Sequence, residues 1–516
     1  MLLKCCICEM KNSYRENITM RPTIRFLTDE LIRKIISEAR DILCKLGVEI
    51  HNKSILAMLS DCGCKVEMEK HHALFTNEII VKALKAAPES FRLYDVHGKQ
   101  THDFSGHNVY FTPGSTALHI LDSQAGKTRR SETPGRSRMR RPVTTDYINF
   151  VKVTEKLEHI ASASTALIPA DVPEIISDSY RLFLSLLYGK KTVVTGAFTI
   201  ESFNVMKDFQ LAVRQSSDAL KEKPLTIFSC CPTSPLKWSD VTSQNLLDCA
   251  RHFIPVELIA MPLSGLIAPV TLTGTLVQHT AETLSGVVIS QITSPGTPIL
   301  YGGSPAVFDI RHETTPTGAI ETMMIVCAYN EIGKYLHLPT QAYISLSDSK
   351  ELDTQAGLES GIGAVMAAIS GINNISGPGM LYFESCLSLE KLVVDNEICG
   401  MTFRLISGIE PREDFPALKI FQELLRDRHL LISEHTRRHL EKEHFFPGPV
   451  IDRANRSGWE QKGALTLEQR AHREVKRLLE SYEPSDLPED IKKDLVKLMT
   501  EEAHRHGQDS LPHLPR

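Results

Sequence analysis

The sequence has few aromatic residues and no long apolar run. Phe, Trp and Tyr make up 6% of its 516 residues, and only 2 of them are Trp, so an aromatic ligand cage has few candidates. No apolar stretch approaches the ~20 residues that a membrane-spanning helix needs. Neither sign of charge dominates, because 58 Lys and Arg face 63 Asp and Glu, for a net charge of −5. This balance excludes a chain-wide basic surface for nucleic acid or anionic membrane.

A signal peptide is also lacking. The first residues, MLLKCCICEM, reach a lysine at position 4 and contain no sustained apolar core. We therefore predict a cytoplasmic protein whose 12 cysteines stay reduced. The CCIC run at 5–8 and the CGC run at 62–64 lack the paired C-x-x-C or helical histidine spacing of a zinc site. The prediction is that the chain itself binds no metal.

Familiar catalytic signatures are missing as well. The sequence contains no G-x-G-x-x-G, no phosphate-binding G-x-x-x-x-G-K-[ST], no H-E-x-x-H and no G-x-S-x-G. A dinucleotide enzyme, a P-loop enzyme, a zincin and an α/β-hydrolase are all disfavoured.

Short β-rich apolar runs alternate with helical segments from about residue 145 onwards. The intervals between the runs are 31 to 43 residues, which is room for one strand, loop and helix each. The runs begin near Ile160, Thr192, Leu225, Val256, Ile299, Gln341 and Ile372. Seven such units and one further strand would make a (β/α)8 TIM barrel. A doubly wound open sheet is the alternative, but it would be expected to carry a glycine-rich phosphate turn.

This pattern predicts an α/β protein with four parts. Residues 1–19 precede Met20, which opens MRPTIRFLTDE like a natural start, and are predicted to be a dispensable leader. Residues 20–144 form an N-terminal α/β cap with a helix over 28–47 and a hairpin over 109–123. Residues 145–410 form the TIM barrel, and 411–516 a C-terminal helical extension.

The segment 126–141 stands apart because it holds seven Lys or Arg and one Glu. We interpret it as a surface loop, since Met139 is its one large apolar residue. A basic face that binds phosphates or an acidic partner is the alternative.

Carboxylates cluster in SDSKELDTQAGLE (347–359), directly after the run at Gln341. The carboxyl end of a barrel strand is where such enzymes place their chemistry, so we take Asp348 as the candidate catalytic residue. Capping of the next helix is the alternative, and for Asp353 the two interpretations are equally good.

Several segments, taken in order, resemble the trimethylamine methyltransferase family of corrinoid-dependent enzymes. The resemblance runs from about residue 20 to the end of the chain. Its clearest segments are MRPTIRFLT (20–28), VYFTPGSTALHILD (109–122), RRPVTTDYINFVK (140–152), QHTAETLSGVVISQ (278–291), GGSPAVFDIR (302–311), SDSKELDTQAGLE (347–359), ESCLSLEKLVVDNEICG (384–400) and the stretch from GWEQ to LPED (458–490).

The resemblance implies a TIM barrel that moves a methyl group from a methylated amine to the cobalt(I) of a separate corrinoid protein. It also implies a homo-oligomer, and a chain that binds no cofactor tightly because the cobalamin stays on the partner. The archaeal trimethylamine enzymes contain pyrrolysine, whereas this sequence has standard residues throughout.

That departure bears on the substrate. A quaternary ammonium leaves as a neutral amine without protonation, whereas neutral trimethylamine needs activation before a methyl group can depart. We therefore expect a quaternary amine such as glycine betaine. Trimethylamine, and a barrel that binds methylated osmolytes without turnover, are the alternatives.

A quaternary amine predicts aromatic faces around its methyl groups and a donor for its carboxylate. Most aromatic residues on barrel strands are core, so each candidate for the cage has that alternative. The candidates at strand ends are Tyr343, Tyr301, Tyr382, Phe383 and Phe198. For the carboxylate we expect Arg311 or His312, although Arg311 has Asp309 and Glu313 within reach as partners.

Overall fold

The computed structural model describes residues 20–123 and 138–514. The predicted leader 1–19 and most of the basic segment 126–141 lie outside the described residues. Within the described part of the chain, none of the helices has the length and apolar character needed to cross a membrane.

The N-terminal region alternates short helices and strands. Its elements in chain order are α1 (Asp29–Lys45), β1 (Val48–Ile50), α2 (Lys53–Asp61), β2 (Lys65–Glu67), a 3-10 turn (Met68–Lys70), β3 (His72–Leu74), α3 (Asn77–Ala86), β4 (Arg92–Tyr94), β5 (Gln100–Asp103), β6 (Tyr110–Thr112), β7 (His119–Asp122) and β8 (Arg138–Arg140). The predicted helix over 28–47 corresponds to α1, whose N-terminus Thr28 caps by accepting from Leu31 N–H.

The central region repeats strand and helix. Its elements are α4 (Thr144–Lys156), β9 (Ala163–Ser164), α5 (Glu174–Tyr188), β10 (Val193–Thr195), α6 (Ser202–Arg214), α7 (Ser217–Glu222), β11 (Thr226–Cys230), β12 (Lys237–Trp238), α8 (Asp240–Arg251), β13 (Val256–Ala260), β14 (Leu263–Ser264), α9 (Leu272–Thr293), β15 (Ile299–Gly303), β16 (Ala306–Val307), α10 (Ile320–Tyr335), β17 (Gln341–Tyr343), α11 (Thr354–Ser370), β18 (Asn374–Ser376), β19 (Met380–Leu381), β20 (Cys386–Leu387) and α12 (Leu389–Ile406). A strand lies within a few residues of the start of each predicted run.

The C-terminal region is helical. Every element described after residue 410 is a helix, namely α13 (Leu418–Asp427), α14 (Glu434–Glu443), α15 (Arg456–Gln461), α16 (Leu467–Glu480) and α17 (Glu489–Arg505). Helix α16 packs on α4 and α12, and α17 packs on α5 and α6, so the outer helices of the central region are covered from outside.

Eight parallel strands carry the central region. Five of them form one sheet in the order β15-β13-β11-β10-β9, and three form another in the order β17-β18-β6. Backbone hydrogen bonds join the two sheets at both sides. Tyr301 N–H donates to the Pro339 carbonyl over 2.8 Å, and Ala161 N–H donates to the Phe111 carbonyl over 2.8 Å. The fold is therefore mixed α/β, with two parallel sheets rather than one continuous ladder.

The predicted hairpin over 109–123 is wrong. Strand β6 pairs in parallel with β18, and β7 pairs in parallel with β20 and antiparallel with β8, so β6 and β7 are not partners. The two apolar runs and the Pro113-Gly114 break carry the local signature of a hairpin. The parallel partners, about 260 residues further along the chain, are an outcome of tertiary structure.

Helix α9 shows how closely the outer helices approach the strands. Its 22 residues are apolar on most sides, and the buried ones extend from Thr275 to Gln291. A Cβ atom on Gly286 would lie 2.8 Å from Leu258 of β13 and 2.9 Å from Trp238. The missing side chain lets the helix sit directly on the sheet, and this contact fixes the strands whose ends form the site.

Candidate active site at the carboxyl ends of the strands

A cavity of about 250 Å³ lies where the parallel strands end. Its walls come from the loops that follow β6, β9, β10, β11, β13 and β15, from the last residue of β17 and from the turn after β19. The lining residues are Ser115, Thr116, Thr165, Arg181, Thr195, Gly196, Ala197, Phe198, Ser229, Cys231, Thr242, Ile259, Met261, Ser304, Tyr343 and Glu384. The carboxyl ends of parallel strands are the usual place for a ligand in such folds.

Glu384 brings a carboxylate to this cavity from an unusual turn. Residues Tyr382, Phe383 and Glu384 all have positive φ angles, of 51°, 54° and 67°. Three consecutive left-handed residues other than glycine are energetically unfavourable and need support from their surroundings. The turn projects the Glu384 side chain inward, where Oε1 is buried and has no hydrogen-bond partner among the described residues.

The electrostatic environment of Glu384 disfavours its charge. Burial raises the pKa of this carboxyl to about 8, a hydrogen bond from the Ser115 backbone opposes the shift, and the Glu257 carboxylate adds to it. The carboxyl is therefore largely protonated at neutral pH.

Glu257 is the second residue of β13 and is fully buried. It accepts hydrogen bonds from Ser229 Oγ at 2.7 Å and from Asn374 Nδ2 at 3.2 Å. Burial raises its pKa to about 7, against the effect of these two donors. Two carboxyl groups with raised pKa values thus stand close to one cavity, which is typical of functional sites.

Tyr343 and Phe198, two of the aromatic candidates, contribute rings to the cavity. Tyr343, which is 8% exposed, shares a 2.8 Å hydrogen bond between its hydroxyl and Ser115 Oγ. Burial and the nearby Glu257 and Glu384 raise its pKa, so the phenol stays neutral. Phe198 is 54% exposed at the opening.

The guanidinium of Arg181 packs against the ring of Phe198. Its guanidinium carbon lies 5.2 Å from the ring centroid, and it donates to Asp178 Oδ1 at 2.6 Å and to the Thr165 carbonyl at 3.0 Å. The other Asp178 oxygen accepts from Phe198 N–H. The buried ion pair thereby fixes the loop after β10, and its positive charge is matched by Asp178.

The other aromatic candidates lie elsewhere. Tyr301 is completely buried, and its hydroxyl donates to Thr280 Oγ1 at 3.2 Å, so it packs among core side chains. Tyr382 and Phe383 belong to the same turn as Glu384 but do not line the cavity; Lys350 Nζ lies 5.6 Å and 4.4 Å from their ring centroids.

The predicted donors and the predicted catalytic carboxylate are also away from the cavity lining. Arg311 has a side chain that is 78% exposed and paired with Asp309, the alternative that its sequence context left open. His312 is exposed beside it.

Asp348 anchors the loop before α10. Its carboxylate accepts from Thr317 N–H at 3.0 Å, from Thr317 Oγ1 at 2.7 Å and from Gly318 N–H at 2.9 Å, and burial raises its pKa. Asp353 caps α11 by accepting from Ala356 N–H at 3.0 Å.

Sequence reasoning missed Glu384, Glu257 and Arg181. A signal existed for Glu257, because a carboxylate inside the apolar run VELIA is costly to bury without a partner and so marks a polar contact. Glu384 lies in a segment that carries the resemblance, but nothing local shows that its turn faces the strands.

Large exposed apolar side chains follow several of the strands, and two of them, Phe198 and Met261, line the cavity. They lie in the loops that follow β6, β10, β13, β14 and β16, and each is more than a third exposed: Leu118, Phe198, Met261, Leu266, Ile267, Val270 and Ile310. We call these seven residues the apolar rim. Exposed apolar patches of this kind mark surfaces that contact another molecule.

Residues 20–123 and 138–514 contain no group of three or more His, Cys, Asp or Glu placed to hold a metal ion. The cysteines of the CGC run are free thiols, Cys62 exposed and Cys64 buried. The CCIC run at 5–8 lies outside the described residues.

Comparison with known proteins gives one consistent family. The family model "Trimethylamine methyltransferase (MTTB)" matches residues 7–506. A trimethylamine methyltransferase MttB from Desulfitobacterium hafniense is 27% identical over 93% of this chain and 94% of its own length. A glycine betaine methyltransferase from the same species is 27% identical over 95% of this chain and 99% of its own.

An archaeal relative and a solved structure complete the comparison. The trimethylamine methyltransferase MttB of Methanosarcina barkeri is 29% identical over 92% of this chain and 94% of its own. The crystal structure of the Methanosarcina barkeri monomethylamine methyltransferase (MtmB) covers 93% of this chain and 98% of its own at 13% identity, with a TM-score of 0.48.

Proposed function

The chain belongs to the trimethylamine methyltransferase (MTTB) family and is a methyltransferase, and from this premise we propose that it transfers a methyl group from a quaternary amine, of the glycine betaine type, to the cobalt(I) of a separate corrinoid protein. The alternative substrate is a tertiary amine such as trimethylamine, after which most of the compared relatives are named.

The observation that carries the proposal is the pairing of an aromatic ring with a buried carboxyl in one cavity. Tyr343 and Glu384 both line it, and Glu384 Oε1 has no partner in the described part of the chain. A quaternary ammonium group fits both features, since it is attracted to a ring face and to an ionised carboxylate.

The far end of a betaine substrate needs donors. Thr195 Oγ1 is buried, has no partner among the described residues and lines the same cavity, as does Arg181. We propose these residues for the carboxylate in preference to Arg311 and His312, which are exposed. An unpaired carboxylate would be expensive to bury, so the donors set the orientation of the substrate.

The contribution of this chain to the reaction is to bind, orient and desolvate the substrate. Carbon–nitrogen cleavage releases a neutral tertiary amine and needs no general acid, which fits a cavity whose lining carboxyl group, Glu384, faces a cation. The corrinoid, when its carrier protein docks, supplies the nucleophilic cobalt that accepts the methyl group. The apolar rim, of which Phe198 and Met261 line the cavity, suits a docking protein of this kind.

We further propose that the eight parallel strands form a single (β/α)8 barrel. Their spatial order, β9, β10, β11, β13, β15, β17, β18 and β6, returns to β9 through the Ala161–Phe111 hydrogen bond. The division into a cap, a barrel over 145–410 and a helical extension stays a prediction, and strand β6 would join the barrel from the cap side.

The test measures methylation of cobalt from the absorbance spectrum of the corrinoid protein. The full chain is mixed with a reduced corrinoid protein and, in parallel, with glycine betaine, proline betaine, carnitine and trimethylamine. We expect cobalt methylation with at least one quaternary amine and none with trimethylamine. Methylation with trimethylamine alone would contradict the quaternary-amine proposal, and binding without methylation by any amine would favour the non-catalytic alternative.

A further inference from the structure

We propose that Glu384 is the residue that pairs with the cationic nitrogen, and that it releases its proton to solvent as the cation enters, so that binding of a quaternary amine is coupled to loss of one proton. The inference rests on the proposed function for its ligand class, but it concerns binding alone and is tested without methyl transfer.

The geometry of the carboxyl group supports the pairing. One oxygen, Oε1, is buried without a hydrogen-bond partner among the described residues, and the side chain lines the cavity. In the other buried acid, Glu257, each oxygen has a donor: Oε1 accepts from Ser229 Oγ and Oε2 accepts from Asn374 Nδ2. Glu384 is therefore the carboxyl with an unused acceptor at the cavity.

The described groups around Glu384 offer its carboxylate no free positive charge, so the carboxyl keeps a proton that it can later release. Three neighbouring elements present Glu257 from β13, Tyr343 from β17 and Cys231 from the end of β11, none of which is cationic. Burial keeps Tyr343 and Cys231 neutral by raising their pKa. The guanidinium of Arg181 lines the same cavity but is paired with Asp178. Lys350 lies over the rings of Tyr382 and Phe383 in the adjacent turn.

A fixed cation beside Glu384 makes the ionised carboxylate more stable than the protonated carboxyl. The empty site holds the pKa at about 8, and an opposite charge within ~4–6 Å lowers a carboxyl pKa by ~1–3 units. By linkage, the ionised carboxylate binds the cation about 10- to 1,000-fold more tightly than the protonated form.

The sign of the pH dependence follows. Below the pKa of the empty site, binding must remove the proton, so the affinity rises with pH by up to tenfold per unit. The affinity becomes constant above about pH 8, where Glu384 is already ionised. Fractional proton release is largest between the pKa values of the occupied and empty sites.

The experiment is isothermal titration calorimetry of the full chain with tetramethylammonium chloride. This probe carries a permanent charge and no titratable group, so any proton released comes from the protein. Titration at pH 6.5 and 7 in phosphate and in imidazole, whose ionisation enthalpies differ, gives the number of protons released. We expect net release of about 0.2 to 0.9 proton per cation bound for a pKa lowered by ~1–3 units, and an affinity that rises between pH 6 and 8.

Three variants assign the proton. In Glu384→Gln we expect no proton release, no pH dependence, and binding about 10- to 1,000-fold weaker at pH 9. Glu384→Asp keeps a carboxyl and should retain proton release. Glu257→Gln is the matched control, because it removes the other raised-pKa acid and should leave the release in place. A melting curve of each variant checks that it is folded.

Proton release that survives in Glu384→Gln, or disappears in Glu257→Gln alone, would overturn the inference. So would tight binding by the unmodified chain with no proton released, or failure to bind at pH 9. Methylation of cobalt by a quaternary amine without proton release would reject this inference and leave the proposed function standing. Proton-coupled binding without methylation would do the reverse.

Discussion

Tyr301 and Tyr343 stand on adjacent parallel strands and have different environments. The two strands meet where Tyr301 N–H bonds to Pro339. Tyr301 is fully enclosed and bonded to Thr280, whereas Tyr343 ends at the cavity and is bonded to Ser115. A tyrosine is the third residue of each strand, but Tyr301 packs in the core and Tyr343 lines the candidate site.

This difference predicts opposite effects of one substitution. Tyr343→Leu removes a ring face and should weaken tetramethylammonium binding about 2- to 30-fold, the equivalent of ~0.5–2 kcal/mol. Tyr301→Leu leaves the Thr280 hydroxyl without its partner and should lower the free energy of unfolding by ~1–3 kcal/mol with unchanged affinity. Calorimetric titration and urea denaturation measure the two effects. Equal losses of affinity in both variants would show that Tyr343 has a core role and not a role in binding.

Helix α12 connects the core to the turn that carries Glu384. Ser388 caps the helix, and one turn in, the buried Lys391 ammonium donates to Asp395 and to Ser360 Oγ. Asp395 Oδ2 in turn accepts from Gly379 N–H at 2.7 Å, directly before β19. Burial raises the pKa of Asp395 and the Lys391 charge opposes this. The buried ion pair thus holds the backbone directly before β19, the strand that leads into the turn with Glu384.

Removal of one member of this pair should be severe. Lys391→Met leaves Asp395 buried without its counter-charge, for which we expect a loss of ~3–5 kcal/mol in the free energy of unfolding, measured by urea denaturation. Lys45→Met is the matched control, since Lys45 and Asp41 form an i,i+4 pair with side chains 70% and 53% exposed. Its urea midpoint should stay close to that of the unmodified chain. A Lys391→Met midpoint equally unchanged would show that the pair does not hold the backbone before β19.

The described chain has one dominant hydrophobic core rather than one for each predicted part. A single cluster of buried side chains includes Ile32 of α1, Val256 of β13 and Met499 of α17, and the two other clusters are small. The sheet of β1, β2 and β3 also pairs with β12 from the central region. The N-terminal, central and C-terminal elements are therefore held together by shared packing.

Shared packing predicts cooperative unfolding of the whole molecule. Scanning calorimetry should show one transition, despite a length at which separate domains often melt separately. Leu495→Ala in α17 removes a fully buried side chain and should cost ~2–5 kcal/mol. We expect the entire transition to move to lower temperature in this variant. A separate early transition, with the remainder unmoved, would contradict a common core.

The sequence by itself determined the alternation of strands and helices, the helical end of the chain and the family. These follow from local periodicity and from ordered segments of similar sequence, neither of which depends on distant contacts. Two of the predicted aromatic residues, Tyr343 and Phe198, line the cavity, because strands that run in parallel bring their carboxyl ends to the same place.

Tertiary structure alone decided the rest. The partner of β6 is β18, far along the chain, and no local pattern encodes that pairing. Glu384 enters the cavity because a left-handed turn directs it there. Burial and the proximity of Glu257 then raise its pKa. Periodicity fixes which face of an element is apolar, but the loops that meet at one site, and the charges they bring together, depend on how all the elements pack.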